Sequence, residues 1–338
     1  MIDRVLFLME QYCDADPKCG PSGAEHQVVG AVRSTGLVKE SKHFYFDQLS
    51  LKFGREAMGL LLLQDCALFQ PDLIIYTPLG GALGERLNPS CMNTLMKNTK
   101  VFLNLWDAPE HGLENQWLPH ATYLGIDSLV NAYRNYKGLP NVLFQHSTVD
   151  PTIHYDKGME RDIDVSFVGS IDPTDRRWPL RHEYTQFLKD NGIKIVTAGG
   201  QRGNRLPIEE CANILNRSKI SLDFCRSTDG KPTMHLRAFE VTSCGALLMT
   251  DACTLTGELF DEDFVIFQDK QDLLRLVRYY LEHDLDRAAI AKAGYERASY
   301  IYNARNMWGY IFEKMGFDIG DLATDKYYLQ HKTVMETI

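Results

Sequence analysis

A carboxylate and several basic side chains surround one predicted strand–loop–helix–strand unit in the second half of the chain. The pattern predicts a strand over Lys219–Phe224, a polar loop over Arg226–Lys231 and a helix that begins at Pro232. Proline suits a first helical turn because its missing N–H would be unpaired there, and Gly245 suits the position just past the helix. An apolar strand follows over Ala246–Thr250. The helix start offers unpaired backbone N–H groups to a phosphate, so the unit predicts a nucleotide or nucleotide-sugar site.

Several polar side chains of this unit could contact such a ligand. Glu240 could accept hydrogen bonds from two ribose hydroxyls, or be an ordinary exposed helix glutamate, since a buried unpaired carboxylate is costly. Lys231 and Arg226 could neutralise a diphosphate leaving group, or belong to a solvated loop with incidental charge. Arg237 could be a phosphate ligand or part of a surface salt bridge. Thr233 completes the predicted donor-binding set of this segment.

The same part of the chain carries a family resemblance. The run from Glu240 to Asp251, EVTSCGALLMTD, resembles the E-A-x-A-C-G-x-x-x-x-x-D segment of GT-B glycosyltransferases. The run DIDVSFVGS, from Asp162 to Ser170, resembles the first strand and glycine turn of that superfamily's donor domain. Residues 269–294 resemble its paired closing helices. Within the superfamily the chain is similar to the spore-maturation-type (CgeB-like) glycosyltransferases over residues 140–312.

This resemblance implies roles for individual residues. It implies that Glu240 binds the ribose of the donor nucleotide and that the enzyme retains the anomeric configuration of the sugar. Many relatives carry a second glutamate eight residues earlier, which contacts the transferred sugar. Pro232 occupies that position here, so the family's sugar recognition does not carry over to this chain.

Glycines follow two further predicted strands of the second half. Gly199, Gly200 and Arg202 come after a strand predicted over Ile193–Ala198. Gly169 and Ser170 follow another strand in the same way. Glycine lets a ligand approach the backbone, and open α/β sheets bind ligands at the carboxyl ends of their strands. These residues are therefore predicted to contact the base or the phosphates, with a simple tight turn as the alternative.

In the first half a glycine loop follows the first predicted strand, with Gly20, Gly23, Glu25 and His26. The loop resembles the glycine loop of retaining GT-B enzymes, which implies that Gly23 allows close backbone approach and that His26 contacts the transferred group. A plain strand-to-helix connection is the alternative. No Gly-Lys-Ser/Thr follows, so the loop is not a P-loop, and it is not a dinucleotide fingerprint.

Titratable groups follow a strand predicted over Val101–Leu105. Asp107 and His111 stand just after its carboxyl end, with Glu110 between them. A general base must reach the acceptor hydroxyl with a pKa near the working pH, and either Asp107 or His111 qualifies chemically. A capped turn is the alternative.

Two acidic runs have the D-x-D spacing of a metal-binding motif, but neither lies in the middle of a domain, where that motif is found. Asp14 and Asp16 form a D-x-D directly after the first strand, and Asp261 and Asp263 lie in a predicted surface turn. Divalent cations prefer such oxygen ligands. We nevertheless expect no metal, with catalysis resting on positioning and on Lys231, neighbouring arginines and helix N-terminal amides around the departing diphosphate.

Composition limits the alternatives. A chain of 338 residues favours two domains, and no segment approaches the ~18 apolar residues of a membrane span. The eight cysteines form no C-x-x-C pair, which favours free thiols and a cytoplasmic location. A net charge of −9 argues mildly against a broad nucleic-acid-binding surface.

Apolar runs alternate with helical patterns along the whole chain, which predicts an α/β fold with parallel sheets. With the resemblance, this predicts the GT-B architecture of two facing Rossmann-like domains with a cleft between them. The expected division is an acceptor domain over 1–150, a nucleotide-sugar donor domain over 151–312, and a segment over 313–338 that packs back on the first domain.

The function predicted from these observations is transfer of a sugar from a nucleotide-diphosphate sugar to an acceptor hydroxyl. The acceptor could be a polysaccharide, a protein, a lipid-linked sugar or a modified nucleic-acid base. Two alternatives stay open: a nucleotide-sugar epimerase of the same fold, and a non-catalytic binding protein on the same scaffold. Pro232, which stands where the family has an acid, keeps the second alternative open.

Overall fold

The computed structural model of the protein describes residues 1–78, 87–105, 118–127, 138–171, 179–199, 206–225, 235–251 and 254–338. The chain forms two compact units. The first contains Met1–Asp150 together with Ala304–Ile338, and the second contains Pro151–Asn303.

The first unit is built on a six-stranded parallel sheet with the strand order β2-β1-β3-β4-β5-β6. Its strands are β1 (Ile2–Met9), β2 (Val38–Tyr45), β3 (Leu73–Tyr76), β4 (Lys100–Leu105), β5 (Tyr123–Asp127) and β6 (Val142–Gln145). Inner strands such as β3, LIIY, are buried throughout because helices cover both faces of a parallel sheet.

The second unit is built on a five-stranded parallel sheet with the order β11-β10-β9-β7-β8. Its strands are β7 (Ile163–Val168), β8 (Ile195–Ala198), β9 (Ser218–Asp223), β10 (Leu247–Asp251) and β11 (Val265–Phe267). Phe167, Phe224 and Phe267 are fully buried in its core, and Phe224 makes edge contacts with the other two rings. This order places the carboxyl ends of β7, β9 and β10 side by side.

Helices connect the strands in both units. In chain order they are α1 (Ala31–Ser34), α2 (Phe46–Phe53), α3 (Arg55–Phe69), α4 (Pro89–Leu95), α5 (Pro179–Asp190), α6 (Ile208–Arg217), α7 (Arg237–Ser243), α8 (Thr254–Phe260), α9 (Lys270–Glu282), α10 (Asp284–Glu296), α11 (Ala304–Lys314) and α12 (Lys326–Thr337). A π-helical turn over Glu25–Gly30 precedes α1, and another over Arg297–Ile301 follows α10.

The predicted α/β fold with two parallel, Rossmann-like sheets is confirmed. One helix start is wrong: the helix expected to begin at Pro232 begins at Arg237, and His235 is not helical. The tertiary reason lies in His235, because its side chain reaches Asp223 at the end of β9 and holds the chain at that point. Pro232 itself lies outside the described residues.

Arg161 joins the segments that lead into β9 and β10 of the second sheet. Its guanidinium donates to the carbonyl oxygens of Asn216 at 3.1 Å, Ser218 at 2.7 Å and Cys244 at 3.0 Å. These carbonyls lie at the ends of α6 and α7, where unpaired carbonyl groups favour a cation. One side chain therefore joins the start of β9 to the helix that carries Glu240.

Two buried histidines meet in the first unit. The His146 Nδ1 lies 2.8 Å from the Ser147 carbonyl, which can only accept, so Nδ1 donates. Its Nε2 then accepts from the His331 Nε2, 3.1 Å away on α12. Burial lowers the pKa of His146 to about 4 and holds the pKa of His331 well below its usual value. Both imidazoles are therefore neutral in the folded protein at pH 7.

This pair predicts a loss of stability in acid. Between about pH 6.5 and pH 4 each of these histidines binds a proton in the unfolded chain but not in the folded protein. The free energy of unfolding therefore falls as the pH falls, and removing one histidine removes its share of the loss. We expect His331→Gln to reduce the loss between pH 7 and pH 5 by about 2 kcal/mol, measured by urea denaturation at both pH values. The exposed His182→Gln serves as the control and should keep the wild-type loss. Equal losses in the wild type and His331→Gln would contradict the inference that the buried His331 is neutral in the folded protein.

The thiols of the described cysteines are all free. Burial raises the pKa of Cys66 and of Cys244 to about 12 and that of Cys211 to about 11, so these three thiols are not nucleophiles at neutral pH. Among the described helices, none is long and apolar enough to cross a membrane.

Candidate functional site

The candidate site lies at the carboxyl ends of β7, β8 and β9 in the second unit. Asp223, the last residue of β9, is fully buried. Its Oδ1 accepts from the Arg237 Nη1 at 2.6 Å, from the His235 Nδ1 at 3.2 Å and from the Phe224 amide at 2.9 Å. A buried carboxylate is therefore the anchor for two donor side chains at the start of α7.

Asp223 stays ionised because of these neighbours. Burial by itself would raise the pKa of the Asp223 carboxyl, but the charges of His235 and Arg237, the hydrogen bond from His235 and the charge of Arg181 outweigh it. The pKa of Asp223 is held well below its usual value as a result. Ionised Asp223 thus keeps a fixed negative charge beneath the site at every physiological pH.

Arg237 is held on three sides. Besides Asp223, its Nε donates to the Val168 carbonyl at the end of β7, and its guanidinium lies 4.8 Å from the centre of the Phe167 ring. Its side chain is 12 % exposed. Of the two alternatives for Arg237, the surface salt bridge is wrong, since the ion pair that forms is with a buried acid. Its role as a phosphate ligand stays a prediction.

The two glycines at the ends of β7 and β8 leave room for this arrangement. A Cβ on Gly169 would lie 2.3 Å from the Arg237 Nη2. Gly199 has a φ of +109°, and a Cβ there would lie 2.8 Å from the Gly169 carbonyl oxygen. The Gly169 amide also donates to the Ala198 carbonyl at 2.7 Å. Both glycines therefore let chain segments pack closely, and Ser170 beyond them is exposed.

Gly199→Ala should destabilise the protein more than a substitution that strains φ alone. The new Cβ would meet backbone atoms that cannot swing away, so we expect a loss of about 3 kcal/mol or more in the free energy of unfolding. Gly192→Ala is the matched control, with a φ of +81° and no atom within 4 Å of the added Cβ. We expect about 1 kcal/mol there. Similar losses for both variants in urea denaturation would contradict the close-packing argument.

Glu240 lies near the start of the short helix α7, and its side chain is only 13 % exposed. Its Oε1 is 3.7 Å from the Nε2 of His154, whose side chain is 2 % exposed. The alternative of an ordinary exposed helix glutamate is therefore wrong. A largely buried carboxylate with a basic neighbour can accept hydrogen bonds from a ligand without a large desolvation cost. Binding of ribose by Glu240 stays a prediction.

Among the described residues, one group has the spacing of metal ligands: Asp223, Cys225 and His235, with ligand atoms within 4.8 Å of one another. The Arg237 guanidinium already neutralises Asp223 at 2.6 Å and would repel a cation. The arrangement therefore favours an ion-pair cluster over a metal centre. The D-x-D aspartate Asp16 accepts a hydrogen bond from the Lys18 amide and caps a short helix.

In the first unit, the glycine loop leads into the π-helical turn that contains His26. His26 is half-buried, and Glu25 beside it lies 3.4 Å from the His43 Nε2. The hydrogen bond from His43 lowers the pKa of Glu25, so the Glu25 carboxylate has a partner within the first unit. A Cβ on Gly23 would make only an ordinary contact with Gln27, and Gly23 has no positive φ. Nothing among the described neighbours of Gly23 requires a glycine there.

Several predicted site residues lie outside the described residues: Asp107, His111, Gly200, Arg202, Arg226, Lys231 and Thr233. Conversely, the structure brings in residues that the sequence interpretation did not select as site residues: His154, Arg181, Asp223 and His235. For Asp223 the sequence did hold a signal, since an acid at the carboxyl end of a predicted strand lies at the ligand-binding edge of the sheet. His154 and Arg181 had none, because each belongs to a segment distant in sequence.

Residues 157–313, a little less than half of the chain, match the family model described as glycosyl transferase-like. This region nearly coincides with the second unit, which contains the candidate site. No curated protein matches the chain significantly.

Three solved structures resemble the chain over nearly its whole length. HepE from Anabaena in complex with UDP-glucose is 12 % identical with a TM-score of 0.60, covering 93 % of this chain and 99 % of that chain. Sucrose-phosphate synthase from Thermosynechococcus elongatus is 10 % identical with a TM-score of 0.57 and the same coverages. The DNA modifying enzyme β-glucosyltransferase, with and without uridine diphosphoglucose, is 14 % identical with a TM-score of 0.51, covering 98 % and 99 %.

At these identities the likeness shows the fold. The chain has the GT-B fold, and the prediction of that fold from the sequence is confirmed.

Proposed function

We propose that the protein is a glycosyltransferase that moves a sugar from a nucleotide-diphosphate sugar to an acceptor hydroxyl. The observation that carries this proposal is the pair of side chains at the start of α7. There a largely buried carboxylate, Glu240, and a fixed guanidinium, Arg237, belong to one helix beside the carboxyl ends of parallel strands. The same unit carries the glycosyl transferase-like match.

The chemistry follows from these two side chains. Glu240 accepts hydrogen bonds from the ribose hydroxyls and holds the nucleoside, while Arg237 faces the diphosphate. In the reaction the bond between the anomeric carbon and the phosphate oxygen breaks, a bond to the acceptor oxygen forms, the acceptor hydroxyl gives up its proton to a base, and the nucleoside diphosphate leaves. Fixed positive charge stabilises the departing diphosphate without reorganisation at the moment of transfer. We propose that the second unit binds the donor and the first unit the acceptor.

The finer parts of the proposal rest on the family resemblance and the structural neighbours. Uridine diphosphate sugars are the first donors to test, because two of the solved neighbours are complexes with UDP-glucose or uridine diphosphoglucose. We further propose a CgeB-like, retaining enzyme of the cytoplasm. Its acceptor would be one of four classes: polysaccharide, protein, lipid-linked sugar or modified nucleic-acid base. No metal enters the proposal, because Arg237 takes the place of a cation beside Asp223.

The test combines binding and turnover. We expect UDP and UDP-glucose to raise the melting temperature, as any ligand of the folded state does, and chelation with EDTA to leave that rise unchanged. Labelled UDP-glucose should then yield UDP and a labelled product with one of the four acceptor classes. An epimerised sugar without acceptor would favour the epimerase. No thermal shift across the nucleotide diphosphates and their sugars would favour a non-catalytic protein.

A further inference from the structure

Helix α3 of the first unit is apolar on both of its faces. The inner face buries Met58, Leu62 and Cys66 in the core of that unit. The outer face exposes three leucines, with exposed fractions of 68 % for Leu60, 36 % for Leu61 and 77 % for Leu68. A helix that is apolar all round is ordinarily covered on every side, so the outer face of α3 has the composition of a contact surface.

The exposed side chains of α3 form a continuous strip. At 3.6 residues per turn, Leu60, Leu61, Gln64 and Leu68 lie on one face of the helix over about 12 Å. We call these four residues the α3 strip. Gln64 is exposed at its middle, and the strip contains no charged side chain. The preceding helix α2 packs against α3 and exposes two more large apolar side chains, Leu51 and Phe53. Apolar exposure is therefore concentrated on two consecutive helices.

We propose that the α3 strip is the interface of a homodimer, in which α3 of one copy lies antiparallel to α3 of a second copy. A two-fold axis brings the same surface of both copies together. With Gln64 at that axis, Leu60 of each copy faces Leu68 of the other. The contact covers three leucines from each copy, and the antiparallel arrangement places the positive end of one helix dipole beside the negative end of the other.

The charges of α3 favour a second copy over other occupants. An uncharged strip requires an uncharged partner surface, because a charged group placed against it would lose water without gaining a counter-charge. The strip itself is such a surface, and a leucine-rich helix face packs well against its own copy.

A lipid surface fits α3 less well. Apolar helix faces that bind anionic lipid are bordered by several basic residues. Helix α3 has one basic residue, Arg55, whose guanidinium donates to the Leu87 carbonyl at 2.9 Å, and two acids, Glu56 and Asp65. Lys42 on the neighbouring strand β2 forms an ion pair with Asp65. The helix therefore lacks the excess of positive charge that attachment to an anionic membrane needs.

The experiment measures mass in solution. Light scattering during size-exclusion chromatography, over a series of micromolar concentrations, should give the wild type twice the 38.6 kDa of one chain. Leu60→Lys and Leu68→Glu should each raise the Kd of the dimer at least about 100-fold, because a two-fold interface contains each substitution twice. Lysine and glutamate are good helix formers, so α3 should persist, and circular dichroism verifies this.

The matched control is an exposed leucine of the second unit. Leu285 lies at the start of α10 and is 87 % exposed. Leu285→Glu should keep the Kd of the wild-type dimer. A loss of dimer in this variant equal to that in Leu68→Glu would overturn the assignment to α3, because any added charge would then have the same effect.

Mixing the two α3 variants tests the antiparallel pairing. In a dimer of one Leu60→Lys chain and one Leu68→Glu chain, the introduced amine faces the introduced carboxylate, and leucine faces leucine at the other end of the strip. The equimolar mixture should therefore form dimers, although each variant alone is monomeric at the same concentration. A mixture that stays monomeric would overturn the antiparallel arrangement.

Other outcomes also overturn the inference. These are a monomeric wild type at all concentrations, dimers that persist in both α3 variants, and a wild type that binds phosphatidylserine vesicles while Leu68→Glu does not. The last result would assign the strip to a lipid surface. The inference does not rest on the proposed function, because the α3 strip belongs to the first unit and the donor site to the second. Absence of nucleotide binding would overturn the proposed function and leave the dimer in place.

Discussion

Glu240→Ala should weaken binding of the donor nucleotide about 100-fold while the protein stays folded. Two hydrogen bonds from ribose hydroxyls to a carboxylate contribute about 3 kcal/mol together, and alanine removes both. The site geometry supports a large effect, since the Glu240 side chain is largely shielded from water and lies beside the buried His154. Calorimetry with UDP and with uridine measures the loss, which should be similar for both ligands because both carry the ribose.

The control for Glu240 is another glutamate on a helix of the same unit. Glu209→Ala, in the exposed first turn of α6, removes the same charge and should leave nucleotide affinity within twofold of the wild type. Unchanged affinity in a folded Glu240→Ala would remove the ribose contact from the proposal. A loss for UDP but not for uridine would place Glu240 near the phosphates instead, contrary to the assignment.

The second large effect concerns stability. Asp223→Ala should lower the free energy of unfolding by about 3–5 kcal/mol, because it leaves the largely buried Arg237 and His235 without the carboxylate that compensates them. The change is measured by urea denaturation, with the slope of the transition compared between variants to show that the unfolded states are alike.

An exposed ion pair in the same unit provides the comparison. The Arg217 Nη2 lies 2.5 Å from the Asp162 Oδ2, and both side chains are exposed. Asp162→Ala should leave the free energy of unfolding close to the wild-type value, because solvent screens an exposed pair. If Asp162→Ala and Asp223→Ala cost the same, burial does not decide the strength of the Asp223 cluster.

Strand positions were the most predictable part of the fold. Both faces of an inner parallel strand are covered, so its residues form a continuous apolar run between polar loops, as in Leu73–Tyr76. The helix over Arg55–Phe69 was equally readable, because glycine precedes it and no proline interrupts it. These are local patterns, and a sequence displays local patterns directly.

Part of the candidate site was also readable. Glu240 belongs to a segment that resembles a family motif. Gly169 and Gly199 follow predicted strands, so their position at the ligand-binding edge followed from the parallel topology. The sequence did not show why glycine is required at these two positions. Gly199 is required because the Gly169 backbone lies against it, and that contact exists only when β8 pairs with β7.

The sequence by itself determined the α/β class, the positions of the strands, individual helices such as Arg55–Phe69 and the segment that carries Glu240, because burial periodicity and turn residues act over a few positions. Tertiary structure decided which side chains meet. The order β10-β9-β7 places Val168 and Asp223 side by side, so Arg237 bonds to both, and His235 bonds to Asp223 and delays the helix start to Arg237. His154 reaches Glu240 across 86 residues for the same reason. Strand order is a property of the whole packed sheet, and no local pattern of residues encodes it.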